Sequence, residues 1–258
     1  MIHVNSAQLI EIIAAYLWPF FRIAALITVA PIWGTRIIPM RARIGLAAAL
    51  TVIIVPLIES TPRVEPFSLA GIMVTANQVL IGLMMGFMLR LVFSALETGG
   101  QMIGMTMGLG FAQMNDPANG VTVPVVSQFY TLLATLIFLA LNGHLVLIDV
   151  LVDSFRVLPV DDIAIGTGGL WALLGWAGWI FKGAVLIALP TVTALLLVNI
   201  SFGVMMRAAP QLNVFAIGFP ITLTLGFVFM LVSLPVFLPQ FEGLMDNAFL
   251  SLAEMLRK

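Results

Sequence analysis

The sequence predicts an all-α integral membrane protein of about six long, kinked hydrophobic helices. Three observations carry that prediction. Of the 258 residues, 61% are hydrophobic and only 9% charged. Soluble domains carry about a quarter charged residues, so too little polar surface exists here to coat a globule in water. Apolar runs approach or exceed the about 20 residues that a bilayer-crossing helix needs. Between them lie charged or Pro- and Gly-rich separators: "TRIIPMRAR", "ESTPRVEP", "VDDIAIGTGG" and "MRAAPQLN". The net charge of −1 offers no basic field to nucleic acid. With no cysteine, disulfides, thiolate metal sites and cysteine nucleophiles are excluded.

The predicted spans follow in order. Ala7–Gly34 is a retained first span, interrupted at Pro19 and Pro31. Its first Lys or Arg is Arg22, so the basic region of a cleavable signal is missing. Ile44–Ile58 meets Pro56 too early to stand alone in lipid. Ser68–Leu96 is uninterrupted. Val121–Val152 contains Pro124, and its "LNGHLVLID" stretch should interrupt the helix at Asn142, Gly143 and His144. Leu170–Ser201 contains Pro190, and Val214–Leu238 contains Pro220 and Pro235. Proline removes a backbone donor and kinks a helix, and in lipid the freed carbonyl needs a protein or water partner. So many breaks imply shelter against neighbouring subunits or a wet cavity. Arg36, Arg41 and Arg43 between the first two spans place that loop in the cytoplasm, which would leave both termini outside. Asp149, Asp153, Asp161 and Asp162 would then lie on the outer side. The tail, 240–258, reads as an amphipathic helix. Phe241, Leu244, Met245, Ala248, Phe249, Leu252, Met255 and Leu256 share one face, and the mixed opposite face suits docking on protein.

The central stretch "GGQMIGMTMGLGFAQMNDPANG", 99–120, carries six glycines and four methionines in 22 residues. Gly100, Gly104 and Gly108 recur every four residues, a smooth strip that another backbone can approach closely. Gly82 and Gly86 form a second such pair. Gly110 should end the helix, and "NDP" should turn the chain. Methionine is soft and unbranched, so it adapts to irregular gaps and changing partners. Close helix packing and a yielding seal are both open to such a segment.

Charges inside apolar spans cost about 2.5–3.5 kcal/mol each on insertion scales. Arg22, Arg90, Glu97 and Lys182 are the charges so placed. They mark a polar path, or contacts between helices or subunits. Only His3 and His144 are present, which leaves no His-rich metal site and no bis-histidine haem ligation. No P-loop, GxSxG or HExxH occurs, and no enzyme or cofactor is expected.

Three motifs in order, "GGQMIGMTMGLGFAQMNDP", "FLALNGHLVLIDVLVDSFRVLP" and "VNISFGVMMRAAPQLNVFAIGFP", resemble the FliR family, the R/T component of type III secretion export gates. The likeness runs over the whole chain, and "TRIIPMRARIGLAAAL" fits it too. The resemblance implies a structural, non-enzymatic subunit of the bacterial inner membrane and flagellar basal body. One copy would join FliP and FliQ in a helical pore, with FlhB and FlhA nearby and unfolded flagellar proteins as cargo. It implies a P-subunit-like part at 1–165, a Q-subunit-like hairpin at 166–239 and the C-terminal helix at 240–258. It also implies an inward plug loop at about 104–120 beside a methionine gasket. Met105, Met107, Phe111 and Met114 would be its plug side chains, with Gly108 and Gly110 as joints. Arg22, Arg90, Glu97, Lys182 and Arg207 are candidate polar contacts between subunits.

Two other readings stay open. One is the injectisome counterpart of the same gate. The other is a secondary transporter for a small solute, which broken helices and buried charges would also serve; it would need an inverted repeat, and none is visible.

Overall fold

The computed structural model describes residues 6–35, 37–58, 64–66, 68–109, 125–160, 167–208 and 214–256. These are helical throughout apart from short connections. The first helix, α1, spans Ser6–Val29 and continues through Pro19. After it Ile32 sits at φ 75°, a left-handed conformation that a β-branched residue rarely adopts. α2 spans Met40–Ile54 and closes in a 3₁₀ turn, Val55–Leu57. Pro56 falls in that turn, as its fixed φ and missing donor favour.

α3 spans Leu69–Thr106, 38 residues. The Ser68 hydroxyl caps it by accepting the Gly71 N–H at 3.0 Å. The predicted span stops at Leu96, and the helix runs ten residues further. No proline lies between Leu69 and Thr106, so Gly99 and Gly100 weaken the ladder without cutting it.

α4, Val125–Ala140, and α5, Gly143–Val157, meet at a 66° bend. Asn142 takes φ 55° there, a left-handed turn that Asn tolerates better than other side chains. The interruption expected in "LNGH" is this bend. α6 spans Thr167–Ala177 and α7 spans Trp179–Ala208. α8 spans Val214–Leu256, 43 residues, and carries Pro220, Pro235 and Pro239 inside it. Of the prolines expected to interrupt spans, Pro19, Pro190, Pro220 and Pro235 stay within continuous helices, Pro31 lies in the turn after α1 and Pro124 lies outside the described residues; the tail predicted as a separate helix is the last part of α8. Its apolar face is buried at Phe241, Leu244, Met245, Ala248, Leu252, Met255 and Leu256.

Among the described residues, four segments are long and apolar enough to cross a membrane, 40–57, 69–106, 173–208 and 217–256, or five if the bent α4–α5 pair counts as one. The sequence reading expects about six such spans; the described residues hold four or five that meet the length. The apolar stretch of α1, Ile13–Val29, is a shorter one. In α3, 67% of the apolar window is buried, against 17% in 40–57 and 22% in both later segments. α3 is thus an inner helix, and the other three keep most of their apolar surface for lipid or for other subunits. The protein is an all-α integral membrane protein.

The chain divides into two compact units. The first is Met1–Leu91 with Leu141–Ala177 and Asn247–Lys258; Trp18, Ile23, Ile81, Met85, Leu147 and Phe155 lie in its core. The second is Val92–Ala140 with Gly178–Asp246. Its core is aromatic. Phe93 meets Phe138 and Phe241 edge-on at 6.0 and 6.2 Å, and Phe237 stacks on Phe241 at 6.1 Å.

Candidate functional site

In the first unit α1 lies in a slot on α3. A Cβ on Gly82 would stand 2.1 Å from the Arg22 carbonyl oxygen, and one on Gly86 would stand 2.8 Å from that of Leu26. Only hydrogen fits, so the four-residue glycine spacing on α3 receives two successive turns of α1. The Trp18 indole N–H donates to Thr75 Oγ1 at 3.1 Å on the same interface.

This close approach carries Arg22 into the interior, where it is fully buried. Its Nε donates to Gln78 Oε1 at 2.7 Å, Nη1 to Ser154 Oγ at 3.0 Å, and Nη2 to the Leu158 carbonyl at 2.9 Å. The guanidinium carbon lies 4.2 Å from the centre of the Phe155 ring. Among the described residues no carboxylate belongs to this set. The partner charge is partial: Leu158 closes the C-terminus of α5, where the helix dipole is negative. Hydrogen bonds to a charged group contribute about 1.5–3 kcal/mol each, and a desolvated cation–π contact about 2 kcal/mol. Together they offset a burial penalty of several kcal/mol. Gln78 also donates from Nε2 to the Val160 carbonyl at 3.4 Å, and Ser154 from Oγ to the Leu151 carbonyl at 2.6 Å. Arg22 and Gln78 thus tie the turn after α5 to α1 and α3. Arg22, a candidate polar contact between subunits, is buried here and makes these three hydrogen bonds within the chain, because the glycine slot draws α1 inward.

In the second unit the far end of α3 carries the glycine and methionine strip. A Cβ on Gly100 would stand 2.7 Å from the Ser127 Cα, and Ser127 Oγ donates to the Glu97 carbonyl at 2.8 Å. Gly100 is therefore a close-packing position against α4. Gly104 is buried. Gly108 takes φ 88° and ends the helix: its N–H returns to the Met105 carbonyl, and the Leu109 N–H to that of Gly104, both at 3.0 Å. This paired closure is a Schellman motif. The helix stops at Gly108, before the predicted Gly110, because the left-handed residue comes first. Met105 is 57% exposed and Met107 0%. Met107 occupies a notch in α8 at Gly226, whose added Cβ would stand 2.6 Å from the Met107 Cγ and Cε. Gly110, Phe111 and Met114 lie outside the described residues.

The remaining predicted charges are spread out. Arg90, Lys182 and Arg207 are exposed, and Glu97 is half-buried. No ion pair joins any two of them; the ion pair seen among the described residues is Arg156 with Asp153, at 3.3 Å on the surface. Lys182 rests its ammonium 4.0 Å from the centre of the Trp179 ring, at the start of α7. Sequence reasoning overlooked Gln78, Ser154 and Gly226. Gln78, a polar residue in the long apolar run of α3, was a usable signal; a lone glycine such as Gly226 carried none.

The description "Bacterial export proteins, family 1" belongs to a family model that matches residues 13–248. The chain is similar to proteins named flagellar biosynthetic protein FliR. That of Escherichia coli (strain K12) is 39% identical over 256 residues, 99% of this chain and 98% of the relative. That of Aquifex aeolicus (strain VF5) is 36% identical over 228 residues, 88% and 87% of the two chains. That of Bacillus subtilis (strain 168) is 31% identical over 233 residues, 89% of each.

Proposed function

Since this chain belongs to the bacterial export proteins, family 1, a family of membrane-embedded export components, we propose that it is a structural and gating subunit of the flagellar type III export gate. In this reading one copy joins FliP and FliQ around a channel in the inner membrane at the basal body. FlhB and FlhA dock nearby, and unfolded flagellar proteins are the cargo. The chain performs no chemistry. It supplies wall and closure, with 1–165 as the P-like part, 166–239 as the Q-like hairpin and 240–258 as the C-terminal helix.

One observation carries the gating part. The last turn of a 38-residue inner helix presents an exposed methionine, Met105, and leads through a left-handed glycine into 110–124. A soft apolar side chain on a rigid stalk suits a seal that must yield to a passing polypeptide. Met105 is the plug residue we favour, and Met107 is the anchor that fixes the stalk. Phe111 and Met114 belong to the proposed plug by resemblance. Lys182, Arg90, Arg207 and Glu97 are the proposed polar contacts with sister subunits.

The flagellar reading is preferred to the injectisome counterpart because the relatives compared above carry flagellar names. A small-solute transporter has less support. Arg22, the charge that would serve a solute path, is closed in by Gln78, Ser154 and Leu158. Co-expression with FliP and FliQ, purification and subunit counting test the proposal. A stable mixed complex with one copy of this chain is expected. A stable solitary chain that takes up a small solute on reconstitution would refute it.

A further inference from the structure

The first unit holds an apolar cleft between α1, α2 and α5. Leu26 of α1, Trp33 of the following turn, Leu46 and Leu50 of α2, and Leu147 and Leu151 of α5 line it. Its empty volume is about 380 Å³, counting the space open to the outside. Leu26, Leu147 and Leu151 form a buried floor, while Trp33, Leu46 and Leu50 are half-buried, so the cleft opens toward the outer face of α2. That helix carries a charge at the same place. Arg43 precedes Leu46 by three residues and Leu50 by seven, which puts all three on one face. Arg43 Nη2 donates to the Thr35 carbonyl, two residues beyond Trp33. Its Nε is buried with no hydrogen-bond partner. Arg41, two residues earlier and exposed, faces away from Arg43 on the other side of α2.

We propose that this cleft binds an anionic phospholipid, with one acyl chain in the Leu26–Leu46–Leu147 slot and the phosphate at Arg43. The chemistry is that of an amphiphile: a slot with apolar walls, ending within one helical turn of a guanidinium that has a donor to spare. Basic pockets between membrane helices recognise anionic headgroups in this way. An apolar helix from a partner protein would fill the slot and leave the Arg43 Nε unpaired, which is why lipid is the occupant favoured. The strained Ile32 fits the same picture, because a costly backbone conformation persists where it positions a neighbour, here Trp33 on the cleft wall. The inference rests on the chain's residence in a membrane and is independent of the export reading.

Trp33 reports on the site. The full chain, together with any subunits that co-purify, is reconstituted into phosphatidylcholine vesicles. Either brominated phosphatidylcholine or brominated phosphatidylglycerol is then added as the quencher. The Trp33 contribution is the signal lost in Trp33→Phe. The expected result is an about fivefold preference for phosphatidylglycerol, abolished in Arg43→Gln, kept in Arg43→Lys and kept in Arg41→Gln. Equal quenching by the two lipids overturns the proposal. So does no quenching of Trp33 by either, which would mean that protein covers the cleft. A preference that survives in folded Arg43→Gln also overturns it. The comparison of the two lipids on the unmodified chain needs no arginine variant to fold.

Discussion

Gly226 and Met107 share one space: the thioether of Met107 fills the position a side chain at Gly226 would need, 2.6 Å from its Cβ. Adding that methyl overpacks the site, which costs about 1–3 kcal/mol. Gly226→Ala should lower the detergent-solubilised chain's unfolding temperature, and Met107→Ala placed behind it should recover part of the loss. A double-mutant cycle by intrinsic fluorescence checks this; additive effects would mean the two residues do not compete.

Met105 and Met107 should separate in function. Truncating buried Met107 to alanine should cost about 2–5 kcal/mol of stability. Met105→Gly lies in the last turn of α3 with its side chain exposed and should cost well under 1 kcal/mol beyond its helix propensity. If Met105 seals the channel, Met105→Gly should make the assembled complex leak ions from preloaded vesicles. Intact assembly with no added leak would remove Met105 from the plug.

Gly82→Ala should be among the most damaging single changes. Its methyl would meet main chain, the Arg22 carbonyl at 2.1 Å, and a backbone cannot rotate aside as a side chain can. Alanine here should cost about 3 kcal/mol or more and reduce the amount of chain recovered in membranes. Gly45→Ala, with nothing within 4 Å of its added Cβ, is the control and should accumulate normally.

Arg22→Lys should fail to replace Arg22. A lysine ammonium is a compact point charge and cannot span Gln78, Ser154 and Leu158 with a planar fork. Each buried acceptor left unpaired costs about 1–3 kcal/mol. Arg22→Lys and Arg22→Met should both raise protease cleavage in the turn after α5, measured by limited proteolysis in detergent. Cleavage unchanged in both variants would show that Arg22 does not hold that turn.

Asn142→Gly should be neutral or stabilising by up to about 1 kcal/mol, since glycine holds the left-handed bend without strain. Asn142→Val should destabilise by about 1–2 kcal/mol for the same reason. Thermal denaturation of the two variants under identical conditions settles the order.

The class of fold was legible because lipid imposes a simple rule on composition and run length. Close packing at Gly100 and the bend at Asn142 were legible too, since glycine spacing and an Asn-Gly pair each demand a local backbone geometry. Helix ends were less so. Pro190, Pro220, Pro235 and Pro239 look like interruptions in a string of letters, yet their helices continue. The role of Arg22 was hidden for another reason. Gln78, Ser154 and Leu158 lie 56, 132 and 136 residues away in the chain, and only the fold brings them together. The exposed and buried methionines of one helix turn, Met105 and Met107, have identical side chains and differ only in what α8 places opposite.

A last consequence concerns the length of α3. At 1.5 Å per residue its 38 residues make a rod about 57 Å long, whereas the oily slab of a bilayer is about 30 Å thick. Even leaning at 40°, the steep limit for such rods, it would stand about 44 Å tall. One end must therefore rise past the acyl chains while still bearing leucines, valines and methionines. Water would penalise that protruding grease, so the portion above the slab calls for a collar of neighbouring protein.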